Sequence, residues 1–271
     1  MRYTACILSL VFMASCSPAS VRGEAPSGAP AGKPADPRVA AVERAAAVLP
    51  AEARAGFLEA FSVDSAGFFA LLEKAERESA AAGDLLVLVD KKHALDPAFE
   101  PGDLVSLNGY PLARNRQDLR LRASIMPAVL EMDAAARAAG ARLVYSSSYR
   151  SYAYQESVYA RHVSQMGREG ADRVSARPGH SQHQLGTAID FGSIDDSFAD
   201  TAAGKWLAGN AWRFGFSLSY PKGYEAVTGY DWESWHYRYI TQAGALLERG
   251  YFGGIQQYFL LFLDEYRRLL K

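Results

Sequence analysis

This 271-residue sequence predicts an α+β fold, and three observations carry that expectation. Short apolar runs of β character are spread over residues 85–240, at uneven spacing and between helical stretches of unequal length. That irregularity departs from the strict strand–helix alternation of a doubly wound sheet. Ahead of them, residues 38–83 are Ala-rich, with apolar side chains recurring at three and four, the helical period. No internal repeat stands out.

Taken in order, the chain opens with Arg2 and the apolar run ACILSLVFMA, about ten residues and too short to span a bilayer. The small residues Ala14 and Ser15 precede Cys16, a pattern that resembles a bacterial lipoprotein signal. On that reading residues 1–15 are removed and Cys16 becomes the lipidated first residue of an exported, membrane-anchored chain. Met13 is less usual at its position, so plain secretory cleavage is the alternative. An uncleaved anchor with two small apolar cysteines is a further one. Cys6 would leave with the signal, so no thiol pair remains.

Residues 16–37 are rich in Pro, Ala, Gly and Ser and read as a tether. Its reach is roughly 65 Å as extended polyproline and about 25 Å as a flexible coil. The runs RVAAVERAAAVL, AEARAGFLEAF and SAGFFALLEKAERESAAAG then predict helices, with Asp64-Ser65 as an N-cap and Gly83 as a stop. They form a helical extension, 38–83, before a main domain over 84–271.

That domain is expected to open with a short strand in LLVLVD (85–90), with another short piece in PGDLVSL. An amphipathic helix over 117–139 follows, kinked or restarted by Pro127. ARLVYSSSY reads as a strand, YAYQESVYARHVSQMG as a helix and LGTAIDFG as a strand. TAAGKWLAGNAWRFG reads as a helix ending at Gly215, FSLSYP and SWHYRYI as strands, and 241–271 as one or two covering helices.

Composition excludes some functions. A net charge of −1 argues against a dedicated nucleic-acid binder, which needs excess Lys and Arg. The glycine-rich nucleotide patterns GxGxxG and GxxxxGK are missing.

Of the five histidines, His93 and His162 read as solvated surface residues. His180, His183 and His236 lie among Gly, Trp, Tyr and carboxylates. Asp190 stands between Ile189 and Phe191, where burial is costly without a positive partner. His183, Asp190 and His236 make a reasonable zinc set, three ligands with a fourth position left for water. A buried Asp190 bonded to His183, with His236 stacked in an aromatic core, satisfies the same residues. Glu233, three before His236, suits a proton acceptor over that site or an ordinary surface position. Arg150 closes VYSSSYR at a strand end, placed to present its planar fork to a carboxylate or a polarised carbonyl, or to serve as a structural arginine.

Three segments, in order and at matching spacing, resemble the VanY-type D-alanyl-D-alanine carboxypeptidases. They are SSSYRSYAYQ (146–155), SARPGHSQHQLGTAIDF (175–191) and NAWRFGFSLSYPKGYEAVTGYDWESWHYRYI (210–240), and the likeness covers about residues 84–245. The resemblance implies a small zinc peptidase fold with a central antiparallel sheet flanked by helices. It implies one Zn2+ per chain held by His183, Asp190 and His236, with Glu233 as general base and acid. Arg150 corresponds to the arginine that holds substrate near the scissile bond, and Gln155 and Ser181 to positions that bind the terminal residue. His180 matches no ligand and reads as a loop-shaping residue.

The implied activity is a zinc-dependent carboxypeptidase trimming a C-terminal D-alanine, D,D- or L,D-linked, from peptidoglycan stem peptides. A non-catalytic peptidoglycan-binding lipoprotein and an endopeptidase or dipeptidase on the same scaffold are the alternatives. The chain departs from the family at Ser234 (usually proline), Ser219 (often arginine) and Gln182 (commonly glutamate), which alters the stiffness and charge around the cleft.

Overall fold

Among the described residues, helix begins at Pro37, the last residue of the tether composition. In the computed structural model, which describes residues 36–271, Pro37 starts α1 (Pro37–Ala45). A proline suits a first turn because its missing N–H has no helical partner there. The signal segment, Cys16 and nearly all of the tether lie outside the described residues.

Helices α2 (Ala51–Val63) and α3 (Ser65–Ala81) follow, and Asp64 Oδ1 caps α3 by accepting from Gly67 N at 2.8 Å. Their apolar faces meet α8 (Gln242–Tyr251) and α9 (Gln256–Leu269). Phe57 sits at the hub, its ring centroid 4.9 Å from both Phe252 and Phe262. The N-terminal helices therefore share one core with the C-terminal pair. Among the described residues no single helix is long and apolar enough to cross a membrane.

A two-stranded ribbon pairs β1 (Leu104–Ser106) with β3 (Arg120–Arg122). The main sheet contains β2 (Ala113–Arg114), β4 (Val144–Ser147), β5 (Ala188–Phe191), β6 (Phe216–Leu218) and β7 (His236–Tyr239), in the order β2-β4-β5-β7-β6. It is antiparallel except at the β2–β4 edge, which is parallel.

Alternation along the strands separates two faces. Tyr145, Ile189, Phe191, Phe216 and Tyr237 pack with α4 (Met126–Ala138) and α6 (Ala202–Asn210) in a second core. Asp190 and His236 take the opposite parity. The remaining helices are α5 (Tyr152–Val174) and α7 (Glu225–Thr228).

Three elements differ from expectation. Residues 85–90 join no strand ladder among the described residues, and side chains occupy the backbone groups of 85–87. Ser79 Oγ accepts from Leu85 N (2.8 Å) and Leu86 N (3.1 Å), and Arg238 Nη2 donates to the carbonyls of Leu85 and Val87. The expected helix over 117–139 is a strand and a 3-10 turn before it becomes helical at Met126. Pro127, which lacks an N–H, is tolerated only in that first turn. Helix α5 runs on to Val174, past a non-helical Gly167 at φ 75°.

Candidate active site

Strand register builds the centre of the site. Asp190 of β5 lies directly across from His236 of β7, so both side chains leave the same face of the sheet. His183 comes from a 3-10 turn, Gln182–Leu185, that precedes β5 and ends at Gly186. Gly186 has φ 70°, and a Cβ there would lie 2.9 Å from Leu104 Cδ2, so the turn needs glycine. These choices bring His183, Asp190 and His236 together, with one donor atom from each within 4.8 Å of the others.

The three side chains are buried, and their orientation is specific. His183 Nδ1 lies 2.7 Å from the Ser148 carbonyl and donates to it, leaving Nε2 free to face Asp190 Oδ2 at 3.2 Å. His236 presents Nδ1 instead, 2.9 Å from Asp190 Oδ1, while its Nε2 lies 3.2 Å from Gln182 Oε1. Among the described residues Asp190 Oδ1 has no hydrogen-bond partner despite that short separation. A buried carboxylate whose two oxygens each face an imidazole lone pair has the chemistry of a divalent-metal donor set, and the His–Asp–His composition fits zinc.

Glu233 Oε2 stands 3.6 Å from His236 Nδ1, beside the cluster. Its backbone N–H donates to Tyr220 O at 3.0 Å, which pins the turn ahead of Ser234. The Tyr220 ring centroid lies 4.9 Å from that of His236 and 4.7 Å from that of Tyr230, over whose ring Lys91 Nζ sits 3.5 Å from the centroid.

Burial sets the charges. It pushes the His183 imidazole down to about 4, against the pull of Asp190, so the ring is neutral and its lone pair available. Burial alone would raise Asp190, and its carboxyl is held well below its ordinary value only by positive charge at His183 and His236, the place a cation would take. Glu233 moves the other way, pushed well up by burial and then by the Asp190 charge, with Arg150 opposing. Burial also brings the Lys91 ammonium down to about 8.

A cleft of about 970 Å³ opens from this centre, and Arg150, Ser181, His183, Asp190, Glu233 and His236 all line it. Arg150 Nη1 donates to Gln155 Oε1 at 2.7 Å and Nη2 to Ser147 Oγ at 3.2 Å. Gln155 itself is fully buried behind the arginine and does not reach the cleft. Ser181 Oγ accepts from His183 N at 3.3 Å. His180 Nδ1 lies 2.7 Å from the Asp90 carbonyl, in keeping with a loop-shaping place.

His93 stays largely at the surface, paired with Asp90 Oδ1 at 2.7 Å. His162 corrects the sequence expectation: it is half-buried and lines the cleft, with Nδ1 enclosed and without a hydrogen-bond partner among the described residues. Val158, His162 and Met166 share one stripe of α5, and that i, i+4, i+8 spacing was the available signal. Lys91 left no comparable trace, because its partners, the Tyr230 ring and the Asp172 carbonyl, are distant in the chain.

Residues 118–242 match the profile of the family described as VanY, D-alanyl-D-alanine carboxypeptidase. A putative carboxypeptidase from Bacillus subtilis, YodJ, is 36% identical over 60% of this chain and 62% of its own. The chain spans 50 to 62% of the length of the first curated relatives it matches. Among solved structures, the LD-carboxypeptidase LdcB, whose structure is described in terms of peptidoglycan recognition, superposes with a TM-score of 0.58. It is 32% identical, covering 64% of this chain and 87% of LdcB. A mutant of the vancomycin-resistance D,D-pentapeptidase VanY in complex with Zn(II) gives a TM-score of 0.55. Its identity is 27%, over 65% of this chain and 98% of that one.

Proposed function

Because this chain belongs to the VanY family of D-alanyl-D-alanine carboxypeptidases, we propose that it is a zinc-dependent carboxypeptidase removing a C-terminal D-alanine from peptidoglycan stem peptides. The observation that carries the reading is the convergence of His183 Nε2, Asp190 and His236 Nδ1, with Glu233 beside them at the floor of an open cleft. His183, Asp190 and His236 would hold one zinc ion per chain. When bound, zinc supplies a Lewis acid and a positive charge that draws the Glu233 carboxyl back toward its working range.

Glu233 Oε2 takes a proton from the attacking water and delivers it to the departing D-alanine nitrogen as the C–N bond breaks. Oxygen is thereby added to the acyl carbon, and the amine leaves neutral. Arg150, held by Gln155 and Ser147, aims its guanidinium at the oxyanion or at the terminal carboxylate. Ser181 lines the same wall and suits contact with the terminal residue. The cleft extends beyond the cluster along α5, which favours a peptide stem over a free dipeptide.

A wall substrate requires an extracytoplasmic enzyme, and the sequence before Cys16 supports export with a lipid there. Residues 17–37 would then let the enzyme range over the polymer from the membrane. The expected partners are peptidoglycan stem peptides and the membrane, with no nucleic acid.

The test is D-alanine release, by mass, from defined tetrapeptide and pentapeptide muropeptides. Purified chain should release it, chelator should stop release, and added zinc should restore it. Tight zinc binding without release from either substrate would leave a binding lipoprotein as the answer. Cys16→Ser should move the protein from the membrane fraction to the soluble one.

A further inference from the structure

His236 faces a tautomer problem. For Nδ1 to offer its lone pair to a cation, the ring proton must sit on Nε2. Nε2 faces the Gln182 side chain at 3.2 Å, and an amide can present either an acceptor oxygen or a donor NH₂. Only the oxygen stabilises the productive tautomer. Some element of the fold must therefore fix which way Gln182 points.

Hydrogen bonds running away from the site fix it. Gln182 Nε2 donates to Gln256 Oε1 at 3.1 Å, and Gln256 Nε2 donates to the Ser217 carbonyl at 3.4 Å. That carbonyl can only accept, so it sets the Gln256 amide, which then sets Gln182. Ser219 Oγ adds a donated bond to Gln182 Oε1 at 2.7 Å, with Gln256 Oε1 at 3.3 Å. A hydroxyl can serve as donor or acceptor, so Ser219 alone does not decide the direction. Gln182, Ser219 and Gln256 are all buried, away from water that could substitute for a lost partner.

Gln256 is the first residue of α9, beyond the family-matched residues 118–242. Its neighbour Gln257 reaches the other way, Nε2 donating to Asp90 Oδ2 at 2.7 Å, while the Asp90 carbonyl holds His180. The first turn of α9 thus grips the His180–His183 loop from two sides. We propose that Gln256 is a positioning residue for the metal centre: through Gln182 it locks His236 in the tautomer that leaves Nδ1 free to bind zinc. This rests on the zinc reading above.

A double-mutant cycle on the purified full chain tests it, with zinc affinity measured by chelator competition. Gln256→Met keeps the side-chain length but removes the amide, and should weaken zinc binding about tenfold, as loss of an orienting partner does. Gln182→Glu replaces the amide by a carboxylate, which accepts whichever way it is turned and needs no orientation. In that background Gln256→Met should change zinc affinity less than twofold. Gln256→Leu is the second apolar replacement, and circular dichroism of the metal-free proteins verifies folding.

An equal loss in both backgrounds would mean general damage to packing and would overturn the proposal. An unchanged affinity in the Gln256→Met single variant would overturn it as well. D-alanine release by the unmodified chain, assayed in parallel, reports on the enzymatic reading separately. A chain that binds zinc and shows the cycle yet releases no D-alanine sinks that reading and upholds this one.

Discussion

His183 and His236 turn different ring nitrogens toward the same carboxylate, Nε2 at 3.2 Å from Asp190 Oδ2 and Nδ1 at 2.9 Å from Oδ1, with their ring planes 89° apart. The other nitrogen of each ring is occupied, by the Ser148 carbonyl and by Gln182 Oε1. Two imidazoles locked in opposite tautomers can donate lone pairs to one point without competing for one proton. Burying three polar side chains together is costly unless something joins them. A dication does so.

Glu233 is the proton carrier of this scheme, and Glu233→Gln keeps its size while removing its basicity. Turnover should fall by about 10²- to 10⁴-fold, the usual worth of a general base. Zinc content should stay at the wild-type level by elemental analysis. Activity within tenfold of wild type would assign the proton transfer elsewhere.

Arg150 and Gln155 should act as one unit. Arg150→Lys loses the planar fork, and kcat/KM should drop roughly 10²- to 10³-fold, comparable to removal of an oxyanion donor. Gln155→Leu frees the Arg150 Nη1 that it now receives at 2.7 Å, and we expect a smaller loss in the same parameter. Combined, the two should cost little more than Arg150→Lys alone. Additive losses would show that Gln155 works independently of the arginine.

Glu248 lies buried on α8, accepting from Ser217 Oγ at 2.7 Å, and burial pushes its carboxyl up to about 7. Below its ordinary value of 4.5 it is protonated both folded and unfolded, and its contribution to stability is complete. Between 4.5 and about 7 only the unfolded chain releases the proton, so stability falls as pH rises, and the loss is complete above about 7. The contribution is about 3 kcal/mol at full size. Glu248→Gln should remove that slope, which denaturant titrations from pH 4 to 8 would measure; identical slopes in both proteins would refute it.

Phe57 joins α2 to the C-terminal helices at the centre of the aromatic cluster. Truncation by Phe57→Ala should cost about 3–5 kcal/mol, the range for a buried aromatic. Because the N-terminal helices share a core with α8 and α9, the whole of 37–271 should melt in one transition shifted downward. A separate early transition, with the main midpoint unmoved, would show an independently folding appendage.

Much of the chemistry was legible in the sequence. Asp190 between Ile189 and Phe191 demanded a positive partner, and His183 and His236 were candidates to share a cation with it, although a buried Asp190–His183 pair satisfied the same residues. The helices of 38–83 showed in their period, and Asp64 in its capping chemistry. Segments 85–90 and 117–125 misled because their β or helical propensity was real. What decided them was competition for backbone groups by Ser79 and Arg238, and the position of a proline within its helix.

Residue types and local spacing determined which side chains could do chemistry here, since periodicity, capping and the cost of a buried charge act over a few residues. Tertiary structure alone decided what stands behind them. Gln256 meets Gln182 across 74 positions and Arg238 meets Leu85 across 153. Such pairs form only when the sheet and the closing helices bring distant segments together. No local pattern in the chain encodes the direction of a buried amide.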